Sequence, residues 1–361
     1  MKELRLLYIE DDEKNREGLV KALSDEILCD FTIKIDAIDT FDNAVEKIVS
    51  SHYHIIILDI YKGKPDEGKD AGFDILKQIQ KKYFVPVVFY SGSTYKVEEL
   101  RSQIVGVVSK LDGEEHLKQE IERLVKFNLP FVKENIYNYL EKEFKTYFWD
   151  IIHNKKDIFT VDKSDFSLGY LMLRKFGNSL SKEKIYEILE DNTLKKDKIH
   201  PMEFYLYPTD TEQEYECGEI LQKGNDVFVV LTPSCDLIKD RKRGRKVGLV
   251  LVVRTQLLSI TNEYKKYNTT KNKENTNNLA NLIESRRGDR YFFLPQTPFI
   301  ESRVIDFQKK TMIGYKKLNK FKRIAKLDSP FAEAMVASFI RYYNRIGFPD
   351  IDSDLVIKNL P

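Results

Sequence analysis

Four short apolar runs in the first third of the chain each end in a side chain that could take part in chemistry. Residues 54–58 end in Asp59, and the run is short and apolar enough to be a strand buried on both faces. In an open parallel α/β sheet, ligands bind just past the carboxyl ends of the strands. Taken alone, Asp59 could equally begin a turn or cap the next helix, as Asp often does.

A second apolar run, residues 4–9, is followed by four consecutive acids at residues 10–13. Adjacent carboxylates repel one another unless a cation lies among them. Glu10 and Asp11, converging with Asp59, would form an all-oxygen site suited to Mg²⁺. The next two acids suit the start of a helix, where the helix dipole favours negative charge.

The other two runs end in a hydroxyl and an ammonium. Residues 85–90 precede Ser91, and residues 104–109 precede Lys110. A lysine ammonium can meet a phosphoryl oxygen as a point charge. The sequence therefore predicts that carboxylates, a hydroxyl and an ammonium meet at one edge of a parallel sheet.

Residues 1–127 resemble a two-component response-regulator receiver domain. The matching segments are residues 8–13 (Tyr-Ile-Glu-Asp-Asp-Glu), 57–59 (Ile-Leu-Asp), 88–92 (Val-Phe-Tyr-Ser-Gly) and 108–110 (Val-Ser-Lys). Each segment alone is a common pattern, and the weight comes from all four occurring in this order at the spacing of five strands. The resemblance implies a flavodoxin-like (βα)5 fold with a parallel sheet.

The same resemblance implies a role for each site residue. Asp59 would be the phosphoacceptor, with Glu10, Asp11 and Asp59 as the Mg²⁺ ligands. Ser91 would be the switch hydroxyl and Lys110 the phosphate partner. The expected partner is a sensor histidine kinase or a phosphotransfer protein.

This sequence departs from the family pattern at three places. Leu111 follows Lys110 where the family usually has Pro, and Val107 stands where the family usually has an aromatic residue. The loop at residues 60–71 is longer and richer in Lys and Gly than usual. The first two departures argue against the usual signalling switch but do not touch the phosphorylation chemistry.

Helices are expected between the predicted strands, and a further strand is expected at residues 31–35. The predicted helices cover residues 13–23, 41–49, 73–82, 97–103 and 114–127, with Asp70 as a cap of the third. Five βα repeats predict a parallel sheet with helices on both faces.

Composition places the chain in the class of soluble proteins with more than one domain. The 361 residues carry a net charge of +2, but residues 1–127 are acidic and the remainder is basic. That asymmetry would allow contact between the halves, or an anionic partner for the second half. Three scattered cysteines, and no run of membrane-spanning length, favour a cytoplasmic location without a membrane contact.

Residues 128–200 are predicted to form a helical connector, beginning after a break at residues 128–130. Helices are expected at residues 131–152, 166–176 and 182–189, with a turn at residues 177–179. Helix, turn and helix invite a DNA-binding hypothesis. The last helix carries Glu183, Glu187, Glu190 and Asp191, a poor surface for phosphates, so specific DNA binding is not expected.

Residues 201–361 are predicted to be a β-rich α+β output domain. Strands are expected at residues 203–207, 215–221, 226–231, 247–253, 291–295 and 304–307, forming a small antiparallel sheet or barrel. Residues 330–346 read as a closing helix. The polar stretch at residues 261–281 is predicted to be a mobile loop or a disordered insertion.

Cys235 and a basic run are the chemically suggestive features of this half. Cys235 precedes Asp236 at a strand end, so it could be a nucleophile or a metal ligand. A nucleophilic cysteine needs a base or a positive field nearby, and no Cys/His pair has zinc spacing, so a half-buried structural cysteine is favoured. Residues 239–246 favour a solvated hairpin tip over an anion site. Residues 232–237 and 343–350 resemble stretches of bacterial proteins without a known activity, so this resemblance implies none.

The combined prediction is a response regulator, phosphorylated on Asp59 with Mg²⁺, that gates an output domain acting through protein–protein contacts or self-association. A DNA-binding transcriptional regulator and an enzyme that uses Cys235 stay open as alternatives. No enzymatic activity beyond the receiver's own phosphorylation chemistry is expected.

Overall fold

The computed structural model describes residues 2–40, 44–50, 52–62, 71–154, 167–190, 198–240, 244–285, 290–344 and 351–359. The chain divides into two compact units, Met1–Leu194 and Lys195–Pro361. Within the described ranges, no helix combines the length and the apolar character needed to cross a membrane.

A mostly parallel sheet forms the centre of the first unit. Its strands are β1 Lys2–Ile9, β2 Ile27–Leu28, β3 Phe31–Ile38, β4 Ile55–Leu58, β5 Val87–Ser91 and β6 Val105–Ser109. They lie in the order β2-β3-β1-β4-β5-β6, and only the β2–β3 pair is antiparallel. The five parallel strands thus follow the 2-1-3-4-5 order of the flavodoxin-like fold, which confirms the predicted fold class.

Helices cover both faces of this sheet because successive strand residues point to opposite faces. They are α1 Glu13–Leu23, α2 Ala44–Ser50, α3 Ala71–Lys82 and α4 Glu114–Lys126. Tyr8 and Ile57 belong to one buried apolar cluster, whereas Ile9 and Leu58 belong to the other. The predicted cap Asp70, most of the long loop, and the start of the predicted second helix lie outside the described residues.

The segment predicted as a helix at residues 97–103 contains only a 3₁₀ turn, Glu98–Leu100. The backbone N–H of Ser102 donates to the carbonyl of Val105, and the Ser102 hydroxyl accepts from the Val105 N–H. A serine that bonds to nearby backbone in this way offers an alternative to the helical pattern. The helix prediction for this segment was therefore wrong.

Helices continue the first unit after the sheet. They are α5 Leu129–Thr146, which runs on as a π-helical turn at Tyr147–His153, then α6 Leu168–Ser179 and α7 Lys182–Leu189. The predicted turn at residues 177–179 is helical instead. The Ser179 hydroxyl donates to the Phe176 carbonyl at 2.7 Å and lies 2.9 Å from the Tyr139 hydroxyl, which ties this last turn to α5. Residue 166, the predicted start of the helix that corresponds to α6, lies outside the described residues.

Helix α5 is attached to the sheet at the amino-terminal ends of the strands. The ring of Phe131 stacks on Phe31 with centroids 4.5 Å apart, and both belong to the core around Tyr8. His54, directly before β4, is buried beside Phe131. Its Nδ1 accepts from the Arg5 N–H at 2.9 Å, and its Nε2 lies 3.1 Å from Glu134 Oε2 on α5. Burial lowers the pKa of His54, which the Glu134 carboxylate opposes.

An antiparallel sheet forms the centre of the second unit, as predicted. Its strands are β7 Tyr205–Leu206, β8 Glu219–Lys223, β9 Asp226–Val230, β12 Leu249–Leu257, β13 Tyr291–Leu294, β14 Arg303–Gly314 and β15 Lys322–Leu327, with a separate hairpin of β10 Lys239–Asp240 and β11 Gly244–Arg245. The order is β13-β14-β12-β9-β8-β15-β7. The Tyr205 hydroxyl on edge strand β7 donates to the Pro295 carbonyl just past edge strand β13, at 2.8 Å. The sheet therefore curls until its two edges are bridged.

Helices accompany the second sheet. They are α8 Ser234–Leu237, α9 Asn262–Thr269, α10 Lys273–Ile283, α11 Phe331–Tyr343 and α12 Ser353–Lys358. One apolar cluster joins Ile305 and Phe307 to Met335 of α11, and another joins Val252 to Leu237 of α8.

The stretch predicted to be a mobile loop at residues 261–281 instead contains α9 and most of α10. Thr261 and Asn272 cap the two helices, each accepting from a backbone N–H three residues on. Leu279 and Leu282 are buried. The polar residues that suggested a loop are thus helix caps and solvent-facing positions.

Candidate functional site

The carboxyl ends of the parallel strands bring the predicted site residues together. Ile9 of β1 is in register with Leu58 of β4, so Glu10 and Asp59 leave the sheet side by side. The Asp59 N–H donates to the Ile9 carbonyl at 3.0 Å, which fixes this alignment. The chemistry-bearing positions are therefore set by strand pairing.

Three carboxylates form a cluster at this edge. One oxygen each from Glu10, Asp11 and Asp59 lies within 4.8 Å of the others. Glu10 is 1% exposed and Asp59 is 8% exposed, whereas Asp11 is half-buried. Negative charge is thus concentrated where little water reaches it.

The Lys110 ammonium lies between the two buried carboxylates. Its Nζ donates to Glu10 Oε2 at 2.5 Å and to Asp59 Oδ2 at 2.7 Å. Burial alone would lower the pKa of Lys110, but the charge of Asp59 and the hydrogen bonds to both carboxylates outweigh it and raise the pKa. Lys110 therefore stays charged at this edge of the sheet.

Glu10 has further partners that the sequence did not reveal. The Tyr8 hydroxyl donates to Glu10 Oε2 at 2.6 Å, and Asn15 Nδ2 donates to Glu10 Oε1 at 3.5 Å. Burial raises the pKa of Glu10 in spite of the hydrogen bonds from Lys110 and Tyr8. Burial and the nearby Glu10 also raise the pKa of Tyr8. Their spacing was the sequence signal for the contact between Tyr8 and Glu10, because residues two apart on a strand point to the same face.

The donor set fits a hard divalent cation. The carboxylates of Glu10, Asp11 and Asp59 converge. Within the described residues, the Lys110 ammonium forms ion pairs with the two buried carboxylates, Glu10 and Asp59. Three carboxylates against one ammonium leave the cluster with a net negative charge, and its ligand atoms are oxygens, which Mg²⁺ prefers. Glu10, Asp11 and Asp59 are thus the residues that could hold such an ion.

Asp59 is oriented by the backbone that follows it. The Ile60 N–H donates to Asp59 Oδ1 at 2.6 Å, and the Ile60 carbonyl accepts from the Gly72 N–H at 3.0 Å. A Cβ added to Gly72 would lie 2.3 Å from the Asp59 carbonyl oxygen. Only glycine therefore lets the first turn of α3 approach the end of β4 this closely, and sequence reasoning missed this residue.

The acidic loop after β1 is held by a cation and a cap. Arg16 Nη1 donates to the carbonyls of Glu10 at 3.0 Å and Asp11 at 3.2 Å. Asp12 accepts from the Asn15 N–H at 2.8 Å and caps α1, as predicted for the later acids. The four consecutive acids are thus divided between the cluster and the helix start.

Ser91 is the last residue of β5 and is almost fully buried. It lies in register with Ser109, directly before Lys110, so the hydroxyl and the ammonium come from neighbouring strand ends. Of the two departures from the family pattern nearby, Val107 is buried in the sheet, whereas Leu111 is 88% exposed.

In the second unit, the segment around Cys235 has a structural explanation. The Thr232 hydroxyl accepts from the Leu251 N–H at 2.7 Å, and the Ser234 hydroxyl accepts from the Cys217 N–H at 3.0 Å. Cys235 is exposed and not half-buried as predicted, and its Sγ lies 3.8 Å from Asp236 Oδ1. A neighbouring carboxylate is the opposite of the positive field that activates a thiolate.

The described part of the basic run at residues 239–246 forms the predicted hairpin. Arg245 Nε donates to the Leu237 carbonyl at 2.6 Å, and the guanidinium lies over the Tyr315 ring. Arg245 is thus engaged in holding the hairpin. The tip residues 241–243, and the Arg/Gly segment at residues 286–289, lie outside the described residues.

Comparisons with known proteins find similarity among solved structures. No protein-family model and no curated protein matches the chain. Solved structures similar to it include the response regulator TrrA from Thermotoga maritima in complex with Mg²⁺ and BeF, which is 25% identical. That match covers 34% of this chain and 99% of the other, with a TM-score of 0.28.

Two further similar structures are regulators from other bacteria. A two-component transcriptional regulator AraC from Clostridium phytofermentans is 24% identical over 34% of this chain and 96% of that one, with a TM-score of 0.28. The chemotaxis response regulator CheY4 of Vibrio cholerae is 18% identical over 34% and 99%, with a TM-score of 0.26. About a third of the chain is similar in fold to each of these three solved response-regulator structures.

Proposed function

We propose that this chain is a response regulator that accepts a phosphoryl group on Asp59 in the presence of Mg²⁺. The observation that carries the proposal is the position of Lys110. Its Nζ lies 2.7 Å from Asp59 Oδ2 and 2.5 Å from Glu10 Oε2, at the carboxyl edge of a parallel sheet. That geometry supports a nucleophilic carboxylate, a metal-binding carboxylate and a phosphate-binding cation in one site.

In the proposed reaction, a carboxylate oxygen of Asp59 attacks phosphorus and forms an acyl phosphate. The bond from phosphorus to the donor breaks, and its electron pair leaves with the donor. Lys110 then donates to a phosphoryl oxygen in place of the carboxylate oxygen that it holds in the free protein. The Ile60 N–H keeps the other carboxylate oxygen in position.

The Mg²⁺ ion would be held by Glu10, Asp11 and Asp59, and it would neutralise the oxygens of the transferring phosphoryl group. Those three residues are suited to binding the ion because one carboxylate oxygen of each lies within 4.8 Å of the others. The raised pKa of Glu10 fits the same role, since a buried carboxylate is stabilised by a bound cation.

Ser91 is proposed to respond once Asp59 is phosphorylated. Its hydroxyl would donate to a phosphoryl oxygen, and this contact would favour one of two arrangements of the surrounding loops. This role for Ser91 is supported by its position, because Ser91 is the last residue of β5, the strand that pairs with β4.

A sensor histidine kinase or a phosphotransfer protein is the proposed phosphoryl donor. The output is proposed to act through contacts with a protein partner or a second copy of the chain. Two observations support this over an enzymatic or DNA-binding output. A carboxylate lies beside Cys235, which opposes the activation of its thiol. Helix α7 carries Glu183 and Glu187, which would repel DNA phosphates.

Phosphorylation by acetyl phosphate tests the proposal. We expect the wild-type chain to gain one phosphoryl group with Mg²⁺ and none with EDTA, and Asp59→Asn to gain none. Asp74→Asn is the matched control, because Asp74 is an exposed acid of α3. Intact-protein mass spectrometry gives the readout. An equal phosphate load on Asp59→Asn would contradict the assignment of Asp59.

A further inference from the structure

A buried guanidinium lies at one end of the curled sheet in the second unit. Arg303, the first residue of β14, is 8% exposed. It shares a strand face with Ile305, a member of the apolar cluster inside the curl, because alternate strand residues point to the same side. Arginine is rarely buried without partners, since an unpaired charge is costly away from water.

The partners of Arg303 are few and distant. Its Nη1 lies 3.3 Å from the Thr255 hydroxyl, which itself donates to the Val227 carbonyl at 3.1 Å. Its Nη2 lies 3.5 Å from Oε2 of Glu301, whose side chain is 72% exposed. These contacts are at or beyond the long end of hydrogen-bond geometry.

Another arginine of the same unit shows what a well-paired buried guanidinium looks like. The Arg323 side chain is 7% exposed, and its Nε donates to Glu219 Oε2 at 2.8 Å while Nη2 bonds to Oε1. Glu219 is 1% exposed, so the pair is buried on both sides. Arg303 has no such fork-to-fork partner among the described residues.

A cavity of about 360 Å³ opens beside Arg303. Thr297 also lines it, and the Thr297 hydroxyl is buried without a hydrogen-bond partner in the part of the chain that the structure describes. Two of the residues that line this cavity thus carry polar groups with few or no partners. Val227, Ile300 and Ile324 give it an apolar wall. Its volume lies in the range typical of small-molecule sites.

We propose that this space, the Arg303 cavity, binds the carboxylate of a small organic acid. A planar guanidinium matches a carboxylate with two parallel hydrogen bonds, and the Thr297 hydroxyl would complete the contact. The apolar wall would take the hydrocarbon part of the ligand.

The charge of the lining favours a monoanion. Among the described residues that line the cavity, Arg303 is the cationic one and Glu301 the acidic one. A dianionic phosphate would face repulsion from Glu301 that a single carboxylate, bound on the far side of the guanidinium, largely avoids. The proposal is independent of phosphorylation at Asp59, because it concerns residues of the second unit alone.

Calorimetric titration of the full chain tests the proposal with defined probes. We expect benzoate to bind saturably at one site, and benzamide, its neutral counterpart, to bind at least about tenfold more weakly because it lacks the charge-assisted hydrogen bonds. Inorganic phosphate should also bind more weakly than benzoate. Failure of benzoate, hexanoate and acetate alike to bind would overturn the proposal, as would phosphate binding as tightly as benzoate.

Three variants separate a ligand site from a structural arginine. Arg303→Met should weaken benzoate at least about tenfold without lowering the melting temperature, because an apolar side chain replaces a poorly paired buried charge. Thr297→Val should weaken benzoate by about three- to tenfold. Glu301→Gln should tighten it, because a competing carboxylate is removed.

Arg254→Met is the matched control, since Arg254 is a half-exposed arginine of β12 that does not line the cavity. Its affinity for benzoate should equal that of the wild type. Unchanged affinity in Arg303→Met would overturn the proposal. If Arg303→Met does not fold, the opposite shifts expected for Thr297→Val and Glu301→Gln carry the test, and the absence of both shifts would overturn it.

Discussion

Glu10 is a residue of the proposed phosphorylation site whose burial as a carboxylate opposes folding. It is buried next to Asp59, and burial raises its pKa. A raised pKa means that the folded chain holds the Glu10 carboxylate in its charged form less readily than the unfolded chain does. Residues kept for function at a cost to stability are common at active sites.

Glu10→Gln is therefore expected to stabilise the chain by about 1 kcal/mol above neutral pH without Mg²⁺. The folded pKa of Glu10 lies above 4.5, so the wild type regains stability as the pH falls through that folded value. The advantage of the variant should therefore vanish as the pH approaches 4.5. Urea unfolding across this pH range measures the difference.

Asp12→Asn serves as the control for Glu10→Gln. Asp12 is exposed and caps α1, and Asn caps a helix about as well, so stability should change little. A Glu10→Gln variant that is less stable than the wild type at pH 8 would contradict the account of Glu10.

The placement of the proposed site residues at strand ends could be predicted from the sequence, but the residues that support them could not. Glu10, Asp11, Asp59, Ser91 and Lys110 stand at strand ends, and apolar runs locate strand ends in a sequence. Tyr8 and Gly72 act through contacts across the fold, so their part in the site depends on register and on the approach of α3.

At the scale of elements, the junction of α3 with β4 decides where Asp59 lies. Gly72→Ala would place a Cβ 2.3 Å from the Asp59 carbonyl oxygen, so the helix start must move. We expect a loss of about 2 kcal/mol in unfolding free energy, within the range for overpacked positions, and slower phosphorylation of Asp59.

Gly18→Ala is the matched control, a glycine-to-alanine change in the interior of α1. A Cβ at Gly18 meets nothing within 4 Å, so this change should stabilise the chain by about 0.5–1 kcal/mol. Opposite signs for the two substitutions are the expected result. Equal stabilisation by both would show that α3 is not confined at Gly72.

Helices and strands with a clear pattern in their own sequence were predicted better than those that depend on contacts with other segments. Strands β4, β5 and β6 of the first sheet are mostly apolar runs, and α7 was predicted with its observed bounds, Lys182–Leu189. The segment after Val97 fails as a helix because Ser102 pairs with the start of β6. Helices α9 and α10 were missed because Asn and Thr suggest loops, although here they cap helices.

For the whole molecule, the first unit extends past the sheet. Phe131 of α5 belongs to the core around Tyr8. A fragment of residues 1–127 contains all the proposed site residues and is expected to fold cooperatively and bind Mg²⁺. It should be less stable than residues 1–154 by about 3 kcal/mol, the typical cost of losing a buried phenylalanine.

The point variant Phe131→Ala in residues 1–154 should reproduce most of this loss. Phe148→Ala, at a half-exposed position of the π-helical turn, should leave stability nearly unchanged. Chemical denaturation of the three proteins and the shorter fragment measures the differences. A fragment of residues 1–127 as stable as residues 1–154 would show that α5 adds nothing to the receiver core.

At this scale the second unit was predicted only as a class. Short strands separated by turns indicate an antiparallel sheet, and one was found. The curl that brings Tyr205 to Pro295, and that encloses Arg303, depends on contacts between residues about 90 positions apart. No local pattern encodes such a contact, so the Arg303 cavity could not be predicted from the sequence.

Strand β4 has a mechanical consequence because of what stands at its two ends. Asp59 follows it directly, and His54, in contact with Glu134 of α5, precedes it. At about 3.3 Å per residue, the two lie roughly 16 Å apart. The strand is hydrogen-bonded to β1 and β5 on its two sides, which limits how far it can stretch. We therefore expect a displacement at Asp59 to be transmitted along β4 to His54, so that the ring nitrogen NMR signals of His54 change when Asp59 is phosphorylated.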